Sequence, residues 1–387
     1  MAGPSLSRRA FVAASTGAAL APLLAVPATA APPSAARRHG RPFGRYGSPS
    51  ARLTERTLYV HPGGLGDHTT VQAAVNAATG AGHTLVLAPG VYRETVSVGV
   101  TDPATGLPGV AGTGMTWIGA SEDPHDVVVV YDNAAGTPKP DGSGTYGTSG
   151  SATTTVRTDG FTARWITFAN DWLRADHPGI TGTQAVAVKV QGDRSAFHHC
   201  RFLGHQDTLY ADSIALGTFA RQYYRDCYVE GDVDFVFGRA TAVYEHCHFH
   251  TLDRTDLASA PYGFVFAPST AVAAPHGYLV VRSRITSAAP DGYYKLARPW
   301  VPSSDTTARP MLTVRETRLD AGTDAVAPYA DMSSAHPWQN QRFAEYRNTG
   351  PGAAVTVPAD RPQLTPEEAE SATRETHLGD WAPWQDR

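Results

Sequence analysis

Short runs of apolar, β-branched and aromatic residues dominate this chain, and helical periodicity is confined to two places. Runs at residues 84–87 (TLVL), 95–98 (TVSV), 116–118 (TWI), 127–131 (VVVVY), 163–168 (ARWITF) and 185–190 (AVAVKV) predict strands. They recur roughly every 20–30 residues, with Gly, Asn or Asp between them, the signature of a solenoid with one set of strands per repeat. Three phrases echo one another: residues 197–202 (FHHCRF), 224–229 (YRDCYV) and 244–249 (YEHCHF). Each centres on a cysteine among apolar or aromatic residues, so Cys200, Cys227 and Cys247 are expected as rungs of one inward ladder. The pattern predicts an all-β parallel β-helix. A Greek-key β-sandwich is the alternative, disfavoured because tight two-residue hairpin signals are few. Helices are expected at residues 70–78, with Thr69 or Thr70 as N-cap, and in the tail at 365–370. There Thr365 is the N-cap, Pro366 the first helical residue, and acids fill the first turn. Trp381 and Trp384 are expected to pin the C-terminus onto the solenoid.

Four segments follow. Residues 1–30 carry a twin-arginine pattern (Ser7, Arg8, Arg9, Ala10, Phe11), an apolar alanine-rich run and a small-x-small end at Ala28, Thr29 and Ala30. This predicts a signal peptide of the twin-arginine export route, not a membrane span, and a secreted protein. Residues 31–54 read as a flexible Pro, Arg, Ser and Gly linker, 55–355 as the β-helix and 356–387 as a tail with a short helix. The 387 residues are 42% hydrophobic, enough to bury a core. A net charge of -4, with no basic stripe, argues against a nucleic-acid partner. Three cysteines, an odd and low count, make neither a disulfide framework nor a zinc pattern.

The chemistry concentrates in residues 206–210 (QDTLY) and 231–238 (GDVDFVFG). On adjacent coils, Asp207 and Asp234 face one groove. Two close carboxyls cannot both ionise easily, so one is expected to titrate high and the other low, an acid and a nucleophile. Gln206 offers an uncharged N–H donor of the kind an oxyanion needs.

These motifs resemble the pectin methylesterases, carbohydrate esterases that demethylate the galacturonate carboxyls of pectin. The likeness spans most of residues 55–355. It includes 66–75 (GDHTTVQAAV), 90–94 (GVYRE), 184–188 (QAVAV), 206–210, 231–238, 296–300 (LARPW) and 345–352 (EYRNTGPG). It implies a right-handed parallel β-helix and a pectinesterase that releases methanol and pectate. The roles it implies are Asp234 as nucleophile, Asp207 as proton donor and later base, Gln206 and Gln184 at the oxyanion, and Arg298 pairing with Asp234. Trp300 is implied to stack on a sugar ring and Thr148 to contact substrate, with Gln184, Tyr210, Phe235 and Phe237 as further groove residues. The family chemistry needs no metal or other cofactor. The partner implied is pectin (homogalacturonan), with no nucleic acid and no membrane, for a monomeric enzyme.

Tyr92 and Glu94 are read as structural. An insertion is expected at residues 211–220, beside the acid. His246, His248 and His250 alternate, and are expected on an exposed polar face opposite Cys247 and Phe249 rather than around a metal. Two other readings remain: a different β-helix chemistry (pectate lyase or polygalacturonase) and a non-catalytic pectin-binding protein. No contiguous acidic calcium cluster supports the lyase. The presence of all five central residues argues against a silent scaffold.

Overall fold

A computed structural model describes residues 56–99 and 112–385; the expected signal peptide (1–30) and linker (31–54) lie outside the described residues. The strands join three sheets of ten, eight and seven strands. Every strand pairing is parallel. The chain visits the sheets in rotation: Ser195–His198, Arg201–Leu203 and Leu209–Ala211 form one coil, and Arg221–Arg225, Tyr228–Gly231 and Val236–Gly238 the next. This is the expected parallel β-helix. Parallel pairing throughout excludes the sandwich, whose strands run antiparallel.

The corners explain the repeating phrases. Trp165, His199, Asp226, His246, Arg282, Glu316 and Arg347 all have φ between 50° and 56°, each at the turn from the first sheet to the second. Left-handed backbone turns the chain sharply there. The side chain of the next residue reaches a carbonyl of the preceding coil. Cys227 Sγ reaches Phe197 O of the preceding coil at 3.4 Å, Cys247 Sγ reaches Tyr224 O at 3.4 Å, and Ser283 Oγ reaches Tyr244 O at 3.4 Å. The three cysteines are buried and free. They are therefore rungs of an inward ladder, valued as small, weakly polar groups. The same corner divides the run 163–168, expected as one strand, into Thr162–Arg164 and Thr167–Asn170. In 185–190 only Val188–Val190 enters the ladder.

Aromatic columns run inside the ladder. Phe197, Tyr224 and Tyr244 stack on successive coils with centroids 5.1 and 4.8 Å apart. Each such pair contributes about 0.5–1.5 kcal/mol beyond its buried area.

The two ends are closed differently. Val71–Ala77 is the expected helix, with Thr70 as N-cap, and it buries Val71 and Ala74. Glu94 accepts from Val71 N at 2.7 Å and Gln72 N at 2.9 Å, satisfying amides the first helical turn cannot pair. Tyr92 Oη donates to Ala88 O at 2.8 Å. Both are structural, as expected.

At the other end Thr365 caps Pro366–Ser371 through a reciprocal bond with Glu368. A second helix, Arg374–Leu378, follows. The tail lies along the first sheet: Trp381 and Trp384 pack against Tyr223, Val243, Leu279 and Val281. Glu345 and Arg361, both essentially inaccessible, form a two-point ion pair at 2.9 and 2.7 Å that joins the last coil to the tail. Asn348 Nδ2 and Tyr329 Oη also donate to Glu345.

Removing one partner leaves the other charge buried alone. Arg361→Met is expected to destabilise the protein by about 3–5 kcal/mol, read as a lower urea midpoint. An unchanged midpoint would refute a role in closing the end.

Candidate active site

Asp207 and Asp234 sit just before the third-sheet strands Leu209–Ala211 and Val236–Gly238. Those strands pair Leu209 with Val236 and Tyr210 with Phe237. The same register makes Asp207 and Asp234 equivalent on neighbouring coils, and Asp207 N donates to Val233 O at 3.0 Å. Both aspartates are left-handed, with φ of 66° and 51°. Asp tolerates this conformation better than most residues, and held backbone of this kind clusters at working sites. The motif's glycines are required by contact. A Cβ on Gly231 would lie 2.3 Å from Phe235 Cβ, and one on Gly238 (φ +123°) would lie 2.0 Å from Ala211 O.

The electrostatics are asymmetric. Arg298 grips Asp234 at two points, Nε to Oδ1 at 2.8 Å and Nη2 to Oδ2 at 2.6 Å. Its guanidinium lies 4.0 Å from the Phe264 ring centroid, a cation–π contact that fixes its plane. Both aspartates are 7% exposed. Burial pushes the Asp234 carboxyl up, and the hydrogen bonds and charge of Arg298 offset part of that. Burial pushes Asp207 well above the usual carboxylate range, the Asp234 charge adds to this, and Arg298 only tempers it. The expected low-titrating partner is absent: the two are raised to different degrees, and neither falls below its ordinary value, because both have lost water.

Gln206 is half-buried. Its Oε1 accepts from Thr183 Oγ1 at 2.6 Å, which leaves Nε2 free to donate elsewhere. Gln184 is also half-buried, and its backbone carbonyl holds Ala135 N at 2.7 Å. Tyr210 and Phe237 stack at 4.1 Å beneath Trp300, whose ring centroid lies 6.0 and 5.6 Å from theirs. They form the floor under an accessible Trp300 rather than the walls. Ala152, Val186 and Met332 join this cluster. Thr148 lies in the short helix Gly147–Gly150, half-buried, next to the Ser149 that bonds Lys189.

Phe235 is not a groove residue. It is fully buried in the main core, alongside Val236. Period-two alternation would put Phe235 and Phe237 on one face, but the left-handed Asp234 breaks that alternation, and Phe235 turns inward. The loop 211–220 leaves from the far end of Leu209–Ala211, the three-residue strand that follows Asp207. His248 and His250 are half-buried rather than exposed. Both contact Thr286 Oγ1, at 2.7 and 2.8 Å, while His246 occupies a corner outside the strand. Among the described residues no three His, Cys, Asp or Glu side chains group to hold a metal.

Several residues had no sequence signal. Asp232 is fully buried and takes Arg174 at 2.6 and 2.8 Å, with His205 Nδ1 at 3.4 Å. Burial opposes its ionisation, yet Arg174 and His205 hold its carboxyl well below the usual range. It lies inside the second motif, at a position that passes for variable. Arg174, Phe264, Thr183 and Met332 come from segments with no motif at all.

The fold and site have counterparts among known proteins. The family described as Pectinesterase matches residues 57–379. Pectinesterase 31 of Arabidopsis thaliana is 33% identical over 327 residues, 82% of this chain and 90% of that protein. The solved structure of pectin methylesterase PemA from Erwinia chrysanthemi superimposes with a TM-score of 0.73 at 28% identity, covering 86% of this chain and 99% of that one. A pectin methylesterase in complex with a hexasaccharide gives 0.72 at 28%, covering 84% and 97%.

The raised Asp207 has a consequence for stability. A carboxyl whose folded pKa lies above its unfolded value stabilises only when protonated, so its contribution is lost as pH rises through the folded pKa. Asp207→Asn, which keeps a residue tolerant of left-handed backbone, is expected to raise the unfolding temperature above wild type near neutral pH. The gap should close towards pH about 4, near the unfolded carboxylate value. Thermal scans at both pH values check this, and a variant less stable than wild type at neutral pH would contradict it.

Proposed function

The chain belongs to the pectinesterase family and hydrolyses methyl esters of pectin, and we propose that Asp234 is its nucleophile and Asp207 its acid and base. The observation that carries the proposal is the unequal environment of the two carboxyls. One is held by a two-point ion pair with Arg298, and the other is raised by burial and by the charge of its neighbour, which Arg298 only tempers.

In this reading Asp234 attacks the ester carbonyl carbon. Charge develops on the carbonyl oxygen, and the Nε2 groups of Gln206 and Gln184 donate to it. Thr183 supports this by occupying Gln206 Oε1. Methanol leaves as Asp207 gives it a proton, and an acyl-enzyme anhydride on Asp234 remains. Water then attacks with Asp207 as base, releasing a galacturonate carboxylate and restoring both groups.

The substrate of this reading is homogalacturonan. A sugar ring stacks on Trp300, and Tyr210 and Phe237 fix that platform from below. Thr148 borders the same groove. A known pectin methylesterase bound to a hexasaccharide supports an extended oligosaccharide site. Export through residues 1–30 belongs to the same proposal, since the polymer lies outside the cell, as does action as a monomer.

Incubation with methyl-esterified pectin is expected to release methanol without unsaturated ends or chain shortening. Asp234→Ala should lower kcat by at least about a thousandfold, and a variant as active as wild type would sink the assignment. The pH profile carries the signs. Activity rises as Asp234 loses its proton and falls as Asp207 loses its own. Arg298→Met removes the cation that favours ionised Asp234, so its acidic limb should move to higher pH. A limb that stays in place would show that Arg298 does not set the charge of Asp234.

A further inference from the structure

Among the left-handed corners between the first and second sheets, all but one carry His, Asp, Glu or Arg. The exception is Trp165, at φ 55°. A bulky residue is rarely held in left-handed backbone, and such conformations cluster at working sites. The Trp165 ring is not part of the main core. It is half-buried and lies parallel to the exposed His199 imidazole of the next coil, with centroids 6.0 Å apart and planes 7° apart. Both rings line a cleft of about 510 Å³ that also takes in Glu122, Arg201, Asp226 and Tyr228.

The cleft joins ring faces to unspent polar groups. Arg201 lies over the Tyr228 ring, 5.2 Å from its centroid, and among the described residues its guanidinium makes no hydrogen bond or ion pair. It therefore keeps five N–H donors. Glu122, left-handed at φ 57°, is exposed, and among the described residues its carboxylate accepts no hydrogen bond. Flat rings for the C–H face of a pyranose, beside fixed donors and acceptors for its hydroxyls, are what a sugar site requires. Trp165, His199 and Asp226 stand on successive coils, so the platform runs about 10 Å along the solenoid. That length suits a chain rather than a single ring. Charge selects the chain. Arg201 is matched by Glu122, and Asp226 has Arg225 at 3.3 Å. With no surplus of positive charge, the cleft offers a polyanion little, whereas a galacturonan whose carboxyls are methylated is neutral.

We propose that this corner cleft is a second, non-catalytic binding site for the polymer, taking methyl-esterified stretches outside the catalytic groove. It lies at the turn from the first sheet to the second, whereas Asp207 and Asp234 precede strands of the third. One long chain can hold both sites, and the contact at the corner raises the effective concentration of esters at the aspartates. As demethylation proceeds, the stretches that the cleft takes are used up and the enzyme is released. The proposal rests on the substrate assigned above and adds a contact that plays no part in the chemistry.

The test compares methanol release from highly methyl-esterified pectin and from fully methyl-esterified hexagalacturonate. A hexamer held at the aspartates has no further segment to offer the corner. Trp165→Asn keeps a residue tolerant of left-handed backbone. It is expected to raise KM for the polymer about tenfold, with kcat unchanged, and to leave both constants for the hexamer as in wild type. His199→Asn, with the same expected rise, serves where the Trp165 variant does not fold. An unchanged polymer KM would overturn the proposal, as would an equal rise for the hexamer. Electrophoresis through polymer-containing gels, with Asp234→Ala as the parent to stop turnover, checks the charge argument. Adding Trp165→Asn should weaken retardation by esterified pectin and leave retardation by pectate unchanged. Equal weakening in both gels would overturn the selectivity. If wild type released no methanol from either substrate, the esterase reading would fail, and the gels would still decide the corner site.

Discussion

The register between residues 209–210 and 236–237 is the constraint on which this site depends. A one-residue slip in a parallel ladder would turn each side chain to the other face. Here it would carry Asp207 away from Asp234 and remove Tyr210 from Phe237. The register is secured from inside, where Val188, Leu209, Val236, Phe266 and Ala297 are all fully buried on successive coils. The apolar column and the reactive groups occupy the same strands. Packing that holds the solenoid together also fixes the spacing of the chemistry.

That arrangement has an electrostatic cost, met locally. Two carboxyls enter a water-poor site, and only one receives a cation. The cation is itself braced by Phe264. Asp232 adds a third buried acid, paired with Arg174 and contacted by His205 from other coils. Such pairs are weak evidence for stability, but they set orientation. Asp232 bonds to a residue of the loop after the second-sheet strand Thr167–Asn170, tying that loop to the coil carrying Asp234.

Much of this was legible in the residues. The period of short β-runs predicts the solenoid, and the cysteine phrases mark its corners, because each coil reuses one local solution to one local problem. The end helices are written in their caps, Thr70 and Thr365. Phe235 shows where such reading stops. A period of two holds only in extended backbone, and the left-handed Asp234 ends it. The histidines near 248 mislead similarly: alternation gives the face but not the neighbour that covers it, here Thr286.

By itself, then, the sequence determined the repeating coil, the closing elements and the identity of the two aspartates, since these depend on local conformational preference and on motifs contiguous in the chain. Only the tertiary structure decided which groups surround them. Arg298 lies 64 residues from Asp234 in the chain, and Arg174 58 from Asp232. Thr183 and Phe264 meet the site from separate coils. The physical reason is that charge, desolvation and stacking act through space over a few ångströms. In a solenoid, residues that close together in space are separated by whole coils of chain.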